Sequence, residues 1–192
     1  MTTSIRLIVG LGNPGRDYTK TRHNVGFWLI EELTKINNIS LNLENKFFGL
    51  YGKFKYKDSD IHLLEPQTYM NLSGKSVLAV SGFYKIQPEE ILVVHDELDF
   101  NPGIVKLKLG GGHAGHNGLR DIGRVLNSKN FWRLRIGIGH PGDRHKVSDY
   151  VLNKPSADDQ NKIEESITDS IKILDLIFDG NFNDAMKKLH TK

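Results

Sequence analysis

No cysteine occurs in the 192 residues. That absence removes disulfides, thiolate metal ligands and a cysteine nucleophile together, and it suits a reducing compartment. Long hydrophobic runs are missing as well: no apolar stretch approaches the ~20 residues needed to cross a bilayer. The opening "MTTSIRLIVG" has neither the basic n-region nor the apolar h-region of a secretory signal. The expectation is a cytoplasmic chain with no membrane partner. Neither sign of charge is in large excess. With 26 Lys and Arg against 23 Asp and Glu, the formal net charge is +3, so only the placement of basic residues can argue for an anionic partner. Repeats, low-complexity tracts and linkers are also lacking, and the length fits one domain, residues 1–192, around one core.

What is there is an ordinary globular composition, 38% hydrophobic and 26% charged, which excludes a disordered or collagen-like chain. Apolar runs predict strands at Ile5–Gly10, Phe47–Tyr56, Ile61–Leu64, Ile91–His95, Val105–Leu109 and Leu134–Gly139. Helical periodicity covers Val25–Ile36, Ser73–Tyr84, Gly118–Leu126 and a long Asp158–Phe178, with a short helix in the tail from Asn181 to Lys192. Helices between strands favour an α/β sandwich. A hairpin across "KDSD" makes its twisted sheet mixed, though largely parallel and flanked by helices.

Ligands collect beyond the carboxyl ends of such strands. There the chain places "GLGNPG", "EPQTYMN", "HDELD" and "GGGHAGHNG". The first fits G-x-G-x-x-G, but Pro14 sits inside it and the polar run Arg16 to Val25 delays the helix that a dinucleotide pyrophosphate would need. "SGKS" with the later "ILVVHDE" imitates a P-loop site, yet Tyr69 stands where that loop requires its first glycine. Ser73 reads more simply as the cap of the helix it begins.

Without the nucleotide readings, a polar set remains: Asn13, His23, Asn71, Asp96, His116 and Asn117. A histidine base, a carboxylate to orient it and amides to bind a carbonyl suit acyl hydrolysis. No G-x-S-x-G elbow supplies a serine nucleophile. The plain alternatives are turn residues and helix caps, Asn117 and Asn71 among them. Metal binding by His113 and His116, with His95 and Asp96, competes, but His-x-x-His in a glycine loop lacks a helical frame.

The segments "VGLGNPG..Y..TRHNVG", "PQTYMNLSGKSV", "ILVVHDELD", "G.VKLKLGGGHAGHNGLRDI" and "RLRIGIGHPG" resemble, in order and spacing, the bacterial-type peptidyl-tRNA hydrolase family. The resemblance runs as five blocks from about Ile5 to Leu152. It implies a phosphorylase/hydrolase-like fold and cleavage of the ester joining a peptide to the 3′ ribose of tRNA, by a monomer that needs neither cofactor nor metal. Position by position, it makes His23 the base and Asp96 the carboxylate beside it, and it makes Asn13 the residue that discriminates blocked from free aminoacyl-tRNA. Tyr18, Tyr69, Asn71 and Asn117 become substrate-binding, with Met70 and His116 lining the groove. Lys106, Lys108 and Arg135 hold the tRNA end. Ala114 departs from the glycine common there, which bears on loop flexibility and no catalytic group. A non-catalytic RNA- or ribosome-binding relative of the same fold is the alternative reading.

Overall fold

The computed structural model describes residues 3–191. The first apolar run forms β1 (Leu7–Gly10), which is joined in one sheet by β2 (Asn42–Glu44), β3 (Gly49–Tyr56), β4 (Ser59–Pro66), β5 (Ile91–Glu97), β6 (Val105–Leu109) and β7 (Trp132–Gly137). Their spatial order is β2-β3-β4-β1-β5-β7-β6. β1, β4, β5 and β7 run parallel, while β2–β3, β3–β4 and β6–β7 are antiparallel pairs. The mixed sheet with a parallel centre is the architecture that alternating helices and strands predict. Parallel strands covered on both faces need apolar side chains throughout, and "ILVVHDE" is buried at every position.

Period-two alternation divides the core into two layers. Ile8, Leu63, Leu92, Val94 and Leu134 face α1 (Val25–Ile36), α5 (Ala157–Lys172), α6 (Leu174–Phe178) and α7 (Phe182–His190). Leu7, Val9, Leu64 and Val93 face α2 (Ser73–Tyr84) and α3 (Asn117–Leu126). The glycines of "GLGNPG" serve this packing. A side-chain carbon at Gly10 would collide with the Gly26 carbonyl, and one at Gly26 with the backbone of Leu11 and Val94. Only glycine lets α1 sit so close to the strand exit.

Several predicted boundaries move. Phe47 belongs to a 3-10 turn, Asn45–Phe47, and the strand starts at Gly49 after Phe48 turns at φ 51°. β7 begins at Trp132 and ends at Gly137, because Gly139 carries φ 78°. β5 extends through Asp96 to Glu97, so the carboxylate lies within the strand and not after it. The long C-terminal helix breaks at Ile173, which lets Ile173, Leu174 and Ile177 bury together, while Ile171 of the predicted stripe is only half-buried. β2 and α4 (Val147–Val151) were not predicted; one is three polar-flanked residues and the other a single turn and a half.

Ser73 does not cap α2. Its Oγ donates back to Met70 O at 2.7 Å, and the buried N–H of Gly74 in the first turn is taken by Asp121 Oδ2, from α3, at 2.8 Å. At the open edge of the sheet, α7 covers β6: Leu107 N–H donates to His190 Nε2 at 3.0 Å, and Trp132 stacks on Phe182 at 4.0 Å.

Candidate functional site

The carboxyl ends of β1, β4 and β5 open onto a cleft of about 700 Å³, whose lining includes Asn13, His23, Tyr69, Met70, Asn71, Asp96, Lys108, His116, Asn117 and Arg135. Tyr18 stands at its mouth, edge-on to Tyr69 with ring centroids 6.4 Å apart. Lys106 is exposed outside it, over the Phe100 ring.

Asp96 is the centre. It points to the α1 side of β5, where the 3-10 turn Arg22–Asn24 delivers His23, and Oδ2 lies 2.9 Å from His23 Nδ1. Its other oxygen, Oδ1, lies 2.8 Å from His116 Nε2. An ionised carboxylate only accepts, so both contacts require ring N–H donors. For His23 this leaves Nε2 with its lone pair for the cleft. His116 Nδ1 accepts from the N–H of Gly118 and of Leu119 at 3.2 and 3.4 Å. His116, and not Asn117, therefore caps α3, and the cap fixes the tautomer that faces Asp96.

Electrostatics follow from this arrangement. Burial pushes His23 down, but the charge of Asp96 and its hydrogen bond more than offset it, and the ring ends above its ordinary 6.5. Burial pushes Asp96 up, yet His23 and His116 hold it well below the usual carboxylate range. The site thus combines an ionised carboxylate with a base whose basicity it raises. His95, beside them, is pushed down to about 3, first by burial and then by His116. It donates from Nδ1 to Asp96 O at 2.8 Å and stays a neutral prop.

Asn13 is held at three points. Its N–H donates to Asn24 Oδ1 and its carbonyl accepts from Asn24 Nδ2, both at 2.9 Å. Its Oδ1 accepts from Met70 N–H at 2.7 Å, so Nδ2 is the end left for a ligand. Asn71 and Asn117 are exposed on the lips of the cleft.

On the far wall, the register pairs Lys106 with Arg135 and Lys108 with Arg133, which puts four cationic side chains on one face of β6 and β7. Arg135 is not free, since Glu97 Oε1 binds it at 2.7 Å.

Sequence reasoning missed Asn24, Arg133 and Arg22. Arg22 lies 3.7 Å over the Tyr150 ring and donates to Tyr150 O at 2.9 Å, tying the turn that carries His23 to α4. The alternation in "RLR" would have placed Arg133 beside Arg135; nothing local marks Asn24. His113, offered for a metal with His116, turns back to accept from Gly115 N–H at 3.0 Å. Among the described residues, His23, Asp96 and His116 bring ligand-type atoms within 4.8 Å of one another, and those atoms here bond to each other.

An α/β sandwich with a carboxylate-backed histidine and neutral amide donors at the ends of its parallel strands has the form of a hydrolase that activates water. The chain belongs to the peptidyl-tRNA hydrolase family, whose model matches residues 7–192. It is 52% identical to a peptidyl-tRNA hydrolase of Psychromonas ingrahamii over 100% of this chain and 98% of that protein. With that of Shewanella amazonensis the identity is 53% over 97% of this chain and 96% of the relative. The crystal structure of peptidyl-tRNA hydrolase from Acinetobacter baumannii superposes with a TM-score of 0.96 at 48% identity, covering 100% of this chain and 97% of that one.

Proposed function

We propose that this chain hydrolyses the ester between peptide and tRNA in peptidyl-tRNA, the reaction of its family, with His23 as the general base. The observation that carries the reading is the 2.9 Å contact of Asp96 with His23 inside a cleft lined by Asn13, Asn71 and Asn117. His23 Nε2 takes a proton from water as the water oxygen attacks the ester carbonyl. Asp96 stabilises the imidazolium that forms, and amide N–H groups, Asn13 Nδ2 first, receive the charge developing on the carbonyl oxygen. The intermediate collapses with loss of the ribose 3′ oxygen, which takes the proton back from His23. An alkoxide of a ribose leaves more readily than an amine, so no covalent enzyme intermediate is needed.

Asn13 also supports discrimination. An amide side chain can pair with the first peptide bond of the departing chain, whereas free aminoacyl-tRNA presents an ammonium there. The unpaired partners reject it, by up to about 10⁴-fold in sites of this type. Lys106, Lys108 and, alongside Glu97, Arg135 supply phosphate contacts that position the RNA without reading its sequence. All of this lies in one chain and one domain, residues 1–192, consistent with a monomer. The lack of cysteine fits the cytoplasm. The test is release of N-acetyl-amino acid from N-acetyl-aminoacyl-tRNA in the presence of a chelator, with free aminoacyl-tRNA as control. Cleavage of the first and sparing of the second is expected; no cleavage of either overturns the reading.

A further inference from the structure

Arg133 is 4% exposed on β7 and takes no part in the steps above. Glu97, the acidic group that acts on it, is bound to Arg135. Its guanidinium instead donates from Nη1 to Gly112 O at 2.5 Å and from Nη2 to Gly111 O at 2.7 Å. Burying a cation is costly unless it finds hydrogen-bond acceptors; here two successive peptide carbonyls of the glycine loop take Nη1 and Nη2, while the buried Nε has no partner.

Peptide geometry shows what that does. No peptide bond among the described residues is cis, and in a trans unit the N–H points opposite to the C=O. With the carbonyls of Gly111 and Gly112 turned in toward Arg133, the N–H groups of Gly112 and His113 are turned out. Among the described residues neither has an acceptor. Gly111 permits the turn at φ 101°. A side-chain carbon added at Gly111 would lie 2.9 Å from Lys108 Nζ, so that ammonium sits against the loop. Arg120, Lys129 and Arg133 add positive charge around His113. Outward N–H groups in sequence beside uncompensated cations form a concavity for an anion.

We propose that Arg133 is a positioning residue, which turns the N–H groups of Gly112 and His113 outward so that, with Lys108, they hold a phosphate of the RNA arm of the substrate. The inference rests on the reading of the cleft as a peptidyl-tRNA site. Arg133→Lys keeps the charge but loses the planar fork that spans two carbonyls. The test is amide-resolved NMR of the full chain titrated with 5′-phosphorylated CCA trinucleotide, together with steady-state kinetics. In the wild type the Gly112 and His113 amides shift on titration. In Arg133→Lys those shifts are lost and KM rises about tenfold or more, the scale of lost bonds to a charged acceptor, with kcat within about twofold. Wild-type amides that stay in place overturn the proposal whether or not the variant folds, as does a fall in kcat with KM unchanged. A wild type whose two amides shift but which leaves N-acetyl-aminoacyl-tRNA intact upholds the anion site and defeats the hydrolysis reading instead.

Discussion

Asn24 pairs with the backbone of Asn13 as one amide pairs with another, giving Oδ1 to its N–H and Nδ2 to its carbonyl, each at 2.9 Å, with Asn24 only 1% exposed. Asn24→Ala would leave both groups buried and unsatisfied, at about 1–3 kcal/mol each. For a chain of this size that lowers Tm by about 2–4 °C per kcal/mol. Since the displaced residue is Asn13, selectivity for blocked over free aminoacyl-tRNA falls along with Tm. Unchanged selectivity in a destabilised variant would mean the clamp serves stability alone.

His23→Ala removes the proposed base and leaves the cationic wall untouched. Turnover drops by about 10²–10⁴, the usual contribution of a positioned general base, while binding of uncharged tRNA persists. Titration calorimetry beside a cleavage assay checks the separation.

Asp96→Asn changes the pH profile in a stated direction. A neutral His23 is the active form, so the rate rises as pH climbs through the ring's raised value. Without the carboxylate charge, burial remains and pushes the ring down. The acid limb therefore moves to lower pH. The plateau falls with it, because a neutral amide stabilises the imidazolium poorly. A profile unchanged in midpoint and height would contradict the coupling.

Lys106→Ala with Lys108→Ala weakens tRNA binding and flattens its dependence on salt, since each phosphate contact contributes to that slope. Arg135→Ala has a smaller effect on the slope, because Glu97 already neutralises it. Fluorescence-monitored binding across a salt series distinguishes the two.

Glu65 is buried on β4 with Oε1 lacking a partner, and burial, reinforced by Glu31, pushes its carboxyl up to about 8. Above its ordinary 4.5 the unfolded chain releases a proton that the folded chain keeps, so stability falls as pH rises from there to about 8. Glu65→Gln abolishes that loss, which is on the order of a few kcal/mol. The variant melts several degrees higher than wild type near pH 9 and about level with it near pH 5.

Much of this was legible in the sequence, and the limits have physical causes. The strands "LIVG", "ILVVHDE" and "VKLKL" announce themselves because burial on both faces, or on alternate positions, writes directly into residue type. The polar set stood out because its members gather at the carboxyl ends of the strands, where ligands collect. The cap expected at Ser73 does not form, nor does the alternative one at Asn117, because the groups that satisfy those helix starts, Asp121 and His116, depend on tertiary placement and on one residue of register. Asn24 was invisible because its partner is a backbone, and a backbone has no letter. The pairing of Asp96 with a second histidine was hidden for the same kind of reason, as α3 must fold back before His116 can reach β5.

The last helix has a consequence for the solution behaviour of the whole molecule. β6 is one rim of the sheet, and a bare rim invites the matching strand of another copy, the first step toward stacked aggregates. Leu107 N–H, on that rim, is occupied by His190 Nε2, and Trp132 is shielded by Phe182. Burial first, and the charge of Lys106 after it, hold His190 below its ordinary 6.5, so the ring stays an acceptor through neutral pH. Strong acid protonates it, and a protonated ring cannot accept. The same histidine that closes the sheet at neutral pH releases its edge in acid, and light scattering on acidification should rise from that side of the molecule.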